Sequence, residues 1–111
     1  MSSQPQILKG LAELAVLSTL DDGAQYGVGI LDRVRQEAGL NVAEGSIYPL
    51  LHRLERAGSV SAEWRLDGGQ DRPRKYYSLT AAGRAELRSA LDDWLRTSSA
   101  LHAFVTRKAN Q

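Results

Sequence analysis

From residue 7 to residue 20 the apolar side chains Leu8, Leu11, Leu14, Ala15, Leu17 and Leu20 recur at steps of three and four, the spacing of one helix face. Asp21-Asp22-Gly23 then supplies turn chemistry. A second helical spacing, Ile30, Leu31 and Val34, runs through residues 26–38 to a stop at Gly39. A third stripe, Ile47, Leu50, Leu51 and Leu54, ends at Gly58. Asn41 and Glu44 ahead of it have capping-box spacing, but Pro49 would break a helix that began at Val42. The pattern therefore predicts a start between Glu44 and Ser46, with Pro49 in or near the first turn. In that register Ser46, Tyr48, His52 and Arg53 fall away from the leucines, leaving one apolar face and one rich in donors.

After Gly58 the period changes to two. Val60, Ala62, Trp64 and Leu66 alternate with Ser61, Glu63 and Arg65, while Tyr77 and Leu79 alternate with Tyr76 and Ser78. Two antiparallel strands are predicted, with Trp64 and Tyr77 toward the core. The connection, residues 67–74, carries Gly68 and Gly69 and reads as an exposed hairpin tip bearing Arg72, Arg74 and the adjacent Lys75. Thr80 stands where it caps a last helix, in which Leu87, Leu91, Trp94, Ser98, Leu101 and Val105 follow alternating steps of four and three. This heptad seam runs past any surface the hairpin covers, so it needs a partner: the first helix, through Leu8 and Leu11, and the same helix of a second copy. Residues 106–111 are expected to fray.

The composition narrows the chemistry. At 111 residues, with 42% hydrophobic and 24% charged side chains and 3 Pro, the chain is an ordinary single-core globular sequence. The absence of Cys removes disulfides, thiolate zinc sites, iron–sulfur clusters and cysteine nucleophiles together. No apolar run approaches a membrane span of roughly 18 residues, and the first residues lack the basic-then-apolar order of a signal peptide, so a cytoplasmic location without membrane contact is expected. The net charge of +1 conceals polarity along the chain. Three basic and six acidic residues lie up to Glu44, whereas eleven basic and seven acidic residues follow it.

The order helix, helix, helix, hairpin, long helix predicts a mainly α (α+β) winged helix-turn-helix with a two-stranded wing and a long C-terminal dimerisation helix. Its division would be a DNA-binding domain over residues 1–80 and a dimerisation helix and tail over residues 81–111. The third helix suits the major groove of double-stranded DNA, and the basic wing suits the phosphate backbone. One small reading head covers few base pairs, which calls for a homodimer on a pseudo-palindromic operator. Enzyme chemistry has no support: Ser46 lacks a nucleophile-elbow frame, and Asp92 and Asp93 diverge on their helix. His52 and Glu55, with His102 the only other His, do not make a metal set, and Gly27-Val28-Gly29 lacks the third glycine of a dinucleotide fingerprint. No catalytic residue, metal or cofactor is expected. The alternative is a winged-helix module for protein–protein contact without DNA, and three basic residues at one tip speak against it.

Three stretches carry a resemblance: residues 26–30 (Tyr-Gly-Val-Gly-Ile), residues 44–58 (Glu-Gly-Ser-Ile-Tyr-Pro-Leu-Leu-His-Arg-Leu-Glu-Arg-Ala-Gly) and residues 74–83 (Arg-Lys-Tyr-Tyr-Ser-Leu-Thr-Ala-Ala-Gly). Together they resemble the signature segments of PadR-family transcriptional regulators, over about residues 7 to 95. The resemblance implies a dimeric DNA-binding repressor of the smaller subfamily with a single C-terminal dimerisation helix. It places Tyr26, then Ser46, Tyr48 and His52, then Arg72, Arg74 and Lys75 near DNA. It also matches Trp94 to an aromatic residue that, in some relatives, lines an intersubunit pocket for flat hydrophobic effectors; packing alone is the other reading of Trp94. Val28-Gly29 departs from the more usual aromatic-acidic pair of the family's second-helix motif.

Overall fold

The computed structural model describes residues 6–66 and 72–109. Their order is α1 (Gln6–Asp21), β1 (Gln25–Tyr26), α2 (Gly27–Gln36), α3 (Glu44–Arg56), β2 (Val60–Arg65), β3 (Arg74–Leu79) and α4 (Ala81–Ala109). The predicted tip residues 67–71 lie outside the described residues, as do residues 110 and 111 of the expected frayed end. Arg72 and Pro73 of the tip are exposed.

The core is built from the three helical stripes and closed by the sheet. Leu17, Ile30, Val34, Val42, Ile47, Leu51 and Leu54 are essentially inaccessible, with Val60, Tyr77 and Leu79 covering them. Full burial of one such aliphatic side chain contributes about 1.5–3 kcal/mol, so these positions dominate the stability. On α1 the buried centre is Ala12, Val16, Leu17 and Leu20, whereas Leu11, Leu14 and Ala15 border a groove against α4. α1 is therefore apolar on two sides, which is why a single stripe through residues 8–20 misses Val16.

One local expectation for α3 is corrected, and the predicted start is narrowed to a single residue. Ala43 is its N-cap with no side-chain cap bond, so the capping box from Asn41 does not form. The helix begins at Glu44, which puts Pro49 in its second turn. Pro49 cannot donate to the Gly45 carbonyl, and both residues are exposed.

The sheet has three strands in the order β1-β3-β2, because Gln25, ahead of the predicted second helix, and Tyr26, its predicted first residue, pair with Tyr77 and Tyr76. Two residues are too few to show alternation, and their partner lies some fifty positions away, so local pattern cannot reveal β1. The hairpin pairs Val60 with Leu79 through to Arg65 with Arg74. Tyr77 is buried as expected. Trp64 is not: it is 67% exposed, since the hairpin projects beyond the helices and the inward face of its outer end has no core beneath it.

Thr80 caps α4 as expected, its Oγ1 accepting the Gly83 N–H at 3.0 Å while its hydroxyl donates to the Gly58 carbonyl at 2.6 Å. Ser59 adds a hydrogen bond to Glu86, which ties the first turns of α4 to the start of β2. The 29 residues of α4 extend roughly 43 Å at 1.5 Å per residue. The helix continues through Ala109, where residues 106–109 were expected to fray; the Thr106 hydroxyl bonds back to the His102 carbonyl at 2.6 Å. No helix among the described residues is long and apolar enough to cross a membrane.

Candidate nucleic-acid interface

α3 and the wing enclose an open cleft of about 530 Å³, bordered by Tyr48 and His52 from the helix, Trp64, Pro73 and Arg74 from the wing, and Gly27 and Val28 from the start of α2. The elements dictate this arrangement. The leucine stripe of α3 anchors the helix in the core and turns His52 to solvent, with Tyr48 half-buried beside Gly27. Ser46 and Arg53 go to the other flank of α3, where they border a groove against α1 with Lys9 and Arg56. The four helix residues named from sequence thus serve two sides of α3. Arg53 is also paired with Glu13 at 3.0 Å.

On the outer face of the sheet, cations and aromatic rings alternate. The Arg74 guanidinium lies 4.4 Å from the Tyr26 ring centre, Tyr26 meets Tyr76 edge-on at 5.5 Å, and the Arg65 guanidinium lies 4.7 Å from Tyr76. Register explains the row: Tyr26 opposes Tyr76, and Arg65 opposes Arg74. Such contacts are each worth about 0.5–1 kcal/mol at exposed sites, enough to favour one arginine orientation without neutralising its charge. Tyr26 is therefore half-buried beneath Arg74, and the arginine is the more accessible of the two.

Arg74, expected in the connection, is instead the first residue of β3, and Lys75 follows it in that strand. Lys75 differs from the arginines in accessibility: it is half-buried with its ammonium 3.2 Å from Glu55 and 5.4 Å from the centre of the Tyr77 ring. Burial raises the Tyr77 phenol above its ordinary range, and the Lys75 charge partly opposes that shift. Among the described residues no three His, Asp or Glu side chains gather where they could hold a metal ion.

The residues assigned to the seam also divide. Leu87 is only 8% exposed and belongs to the protomer's own core, and Leu8 packs against that core. The reason is that the first turns of α4 lie on α1 and β3. Leu11, Leu91 and Trp94 instead border a groove of about 660 Å³ with Leu14 and Leu40. Its rim carries Arg33, bonded to Asp22 at 2.8 Å and Glu37 at 3.0 Å; hydrogen bonds to Glu37 and then Asp22 raise the guanidinium pKa. Farther along α4, Leu101 and Val105 are about half exposed. So are Leu95 and Phe104, which the sequence reading missed because they flank the seam instead of lying on it.

The Transcriptional regulator PadR-like family model matches residues 16–89, which include all of this cleft and the start of α4. The chain belongs to that family. A PadR-like regulator of this kind has relatives of the same size and shape. The transcriptional regulator Rv3488 of Mycobacterium tuberculosis is 34% identical over 91 residues, covering 79% of this chain and 82% of that protein. A crystal structure of a Streptococcus transcriptional regulator superposes with a TM-score of 0.81 at 30% identity, covering 91% of this chain and 98% of the other. The PadR-like regulator BC4206 of Bacillus cereus also gives 0.81, at 27% identity and 91% and 97% coverage. This PadR-like chain is a winged-helix, DNA-binding transcriptional regulator.

Proposed function

We propose that this PadR-like regulator is a cytoplasmic homodimeric repressor that acts by binding and not by catalysis, with a reading head over residues 1–80 and a dimerisation helix and tail over residues 81–111. Two copies pair through α4 and α1, so that each α3 enters one half-site of a pseudo-palindromic operator, the half-sites lying about one helical turn, roughly 34 Å, apart. Tyr48 and His52 face bases on the wing side of α3, and Ser46 and Arg53 face the other side. Arg72 and Arg74 hold the phosphate backbone, with Tyr26 orienting Arg74 and Lys75 contributing less because Glu55 already holds it.

The observation that carries this reading is α4 beyond its first turns. Leu91, Trp94, Leu95, Leu101, Phe104 and Val105 are each 40–58% exposed, a run of large apolar side chains that a protomer leaves open to water. A small planar aromatic effector stacked on Trp94, in the groove against α1, would release the operator by changing the spacing of the two heads. The test joins sedimentation at micromolar concentration with gel shifts on the DNA upstream of the gene at rising salt. A dimer whose affinity falls steeply with salt is expected. A monomer, or indifference to every duplex at low salt, would overturn the proposal and leave the protein-contact module in its place.

A further inference from the structure

Trp64 is the most exposed aromatic side chain on the wing, and it has no ring or hydrogen-bond partner among the described residues. It sits opposite Lys75 in the hairpin, on the face that nearer the body carries Val60 and Ala62. Where the hairpin outruns the core, that face turns toward α3 and makes one wall of the cleft that holds Tyr48 and His52. An indole left two-thirds open there, on a projecting strand, contributes little to the protomer's own packing.

We infer that Trp64 is a DNA-contacting residue of this regulator: its indole lies against the deoxyribose and base edges bordering the groove that α3 enters. This rests on the proposed reading of the α3–wing face. The occupant follows from charge and shape. Arg72 and Arg74 are exposed at the same end of the wing, and Arg74 borders the same cleft, so the wall carries positive charge beside an aromatic face. A polyanion with apolar sugar faces matches both, whereas a neutral apolar partner leaves the arginines unanswered. The indole N–H supplies a donor for a phosphate oxygen. The apolar seam of α4 is on a different element, so the second copy that pairs there has its own surface.

The contact is non-ionic, and that separates it from the arginines. The chain has 2 Trp, and the difference between the emission of the parent protein and that of Trp64→Phe reports Trp64 directly. Duplexes of about three helical turns, one from upstream of the gene and one of unrelated sequence, are expected to change Trp64 emission and to cut its quenching by acrylamide at least about twofold on binding. Trp64→Ala is expected to weaken duplex binding by roughly threefold to tenfold with no change in the salt slope, Trp64→Phe to restore most of it, and Arg74→Ala to lower the slope by about one. Circular dichroism melts control for folding. Duplex that binds, by anisotropy, without altering Trp64 emission or acrylamide access would overturn this inference and leave the interface reading standing. So would emission that shifts with protein concentration alone, which would mean that a second copy covers the indole. Failure of the parent protein to bind either duplex removes the interface reading and this one with it.

Discussion

Tyr48 occupies the space that any side chain at position 27 would need: a Cβ on Gly27 would lie 2.5 Å from the Tyr48 Cε1. The first residue of α2 and the reading face of α3 are thereby locked together, with the tyrosine ring as the spacer. Gly27→Ala is expected to lower stability by about 1–3 kcal/mol through overpacking and to weaken duplex binding, because the ring must move. In the Gly27→Ala/Tyr48→Ala double variant the ring is gone, and the steric penalty should vanish. Urea denaturation of the four proteins of this cycle measures the coupling; simple additivity would mean the two residues do not oppose each other.

Gly83 makes a still closer approach, and to backbone. A Cβ there would collide with the Ser59 carbonyl oxygen, which also accepts the Thr80 N–H at 3.1 Å and cannot readily retreat. Gly83→Ala is therefore expected to cost more than about 2 kcal/mol, although alanine is favoured over glycine by about 1 kcal/mol inside a helix. Gly10→Ala in α1 is the control, because nothing lies within 4 Å of its Cβ position. It should be neutral or stabilising in the same melts.

Salt titrations should rank the wing cations. Arg72→Ala and Arg74→Ala are each expected to lower the slope of log affinity against log salt by about one, and Lys75→Ala by clearly less, since Glu55 already neutralises that ammonium. Glu55→Gln should free Lys75 and raise affinity at low salt. Equal slopes for all three basic variants would contradict the ranking.

Leu101→Asp combined with Val105→Asp places charge in the open apolar face of α4 while leaving the protomer core untouched. Sedimentation should report a monomer with near-native circular dichroism. Its operator affinity is expected to fall by about two orders of magnitude or more, because only one head then engages. Leu87→Ala should instead destabilise the protomer by about 2–5 kcal/mol, as a core cavity does.

Tyr77 gives a pH dependence of definite sign. Burial raises its pKa in the folded state, so the neutral phenol is favoured there. Its contribution is fully present below about pH 10, where the unfolded phenol is also neutral, and is lost as pH rises from there through the folded pKa. Denaturant midpoints should therefore fall above about pH 10 in the parent protein, and the fall should be shallower in Tyr77→Phe. A parallel decline in both would assign it to other groups.

What the sequence by itself determined is whatever depends on near neighbours. Steps of three and four set α1, α2, α3 and α4, alternation set β2 and β3 with Tyr77 inward, Thr80 marked its cap, and the motifs around Tyr26, Tyr48 and Tyr76 were legible as a family. Tertiary structure decided the rest, because each remaining feature depends on where an element ends up. β1 exists only because β3 comes alongside Gln25 and Tyr26. Trp64 obeys its alternation and still meets solvent, because the hairpin runs beyond the core. Leu87 obeys the seam and still turns inward, because α4 begins on the protomer's own body; Lys75 sits in the basic run and is nevertheless paired with Glu55, twenty residues earlier. Periodicity records which face a side chain shares, and only the packed chain supplies what that face meets.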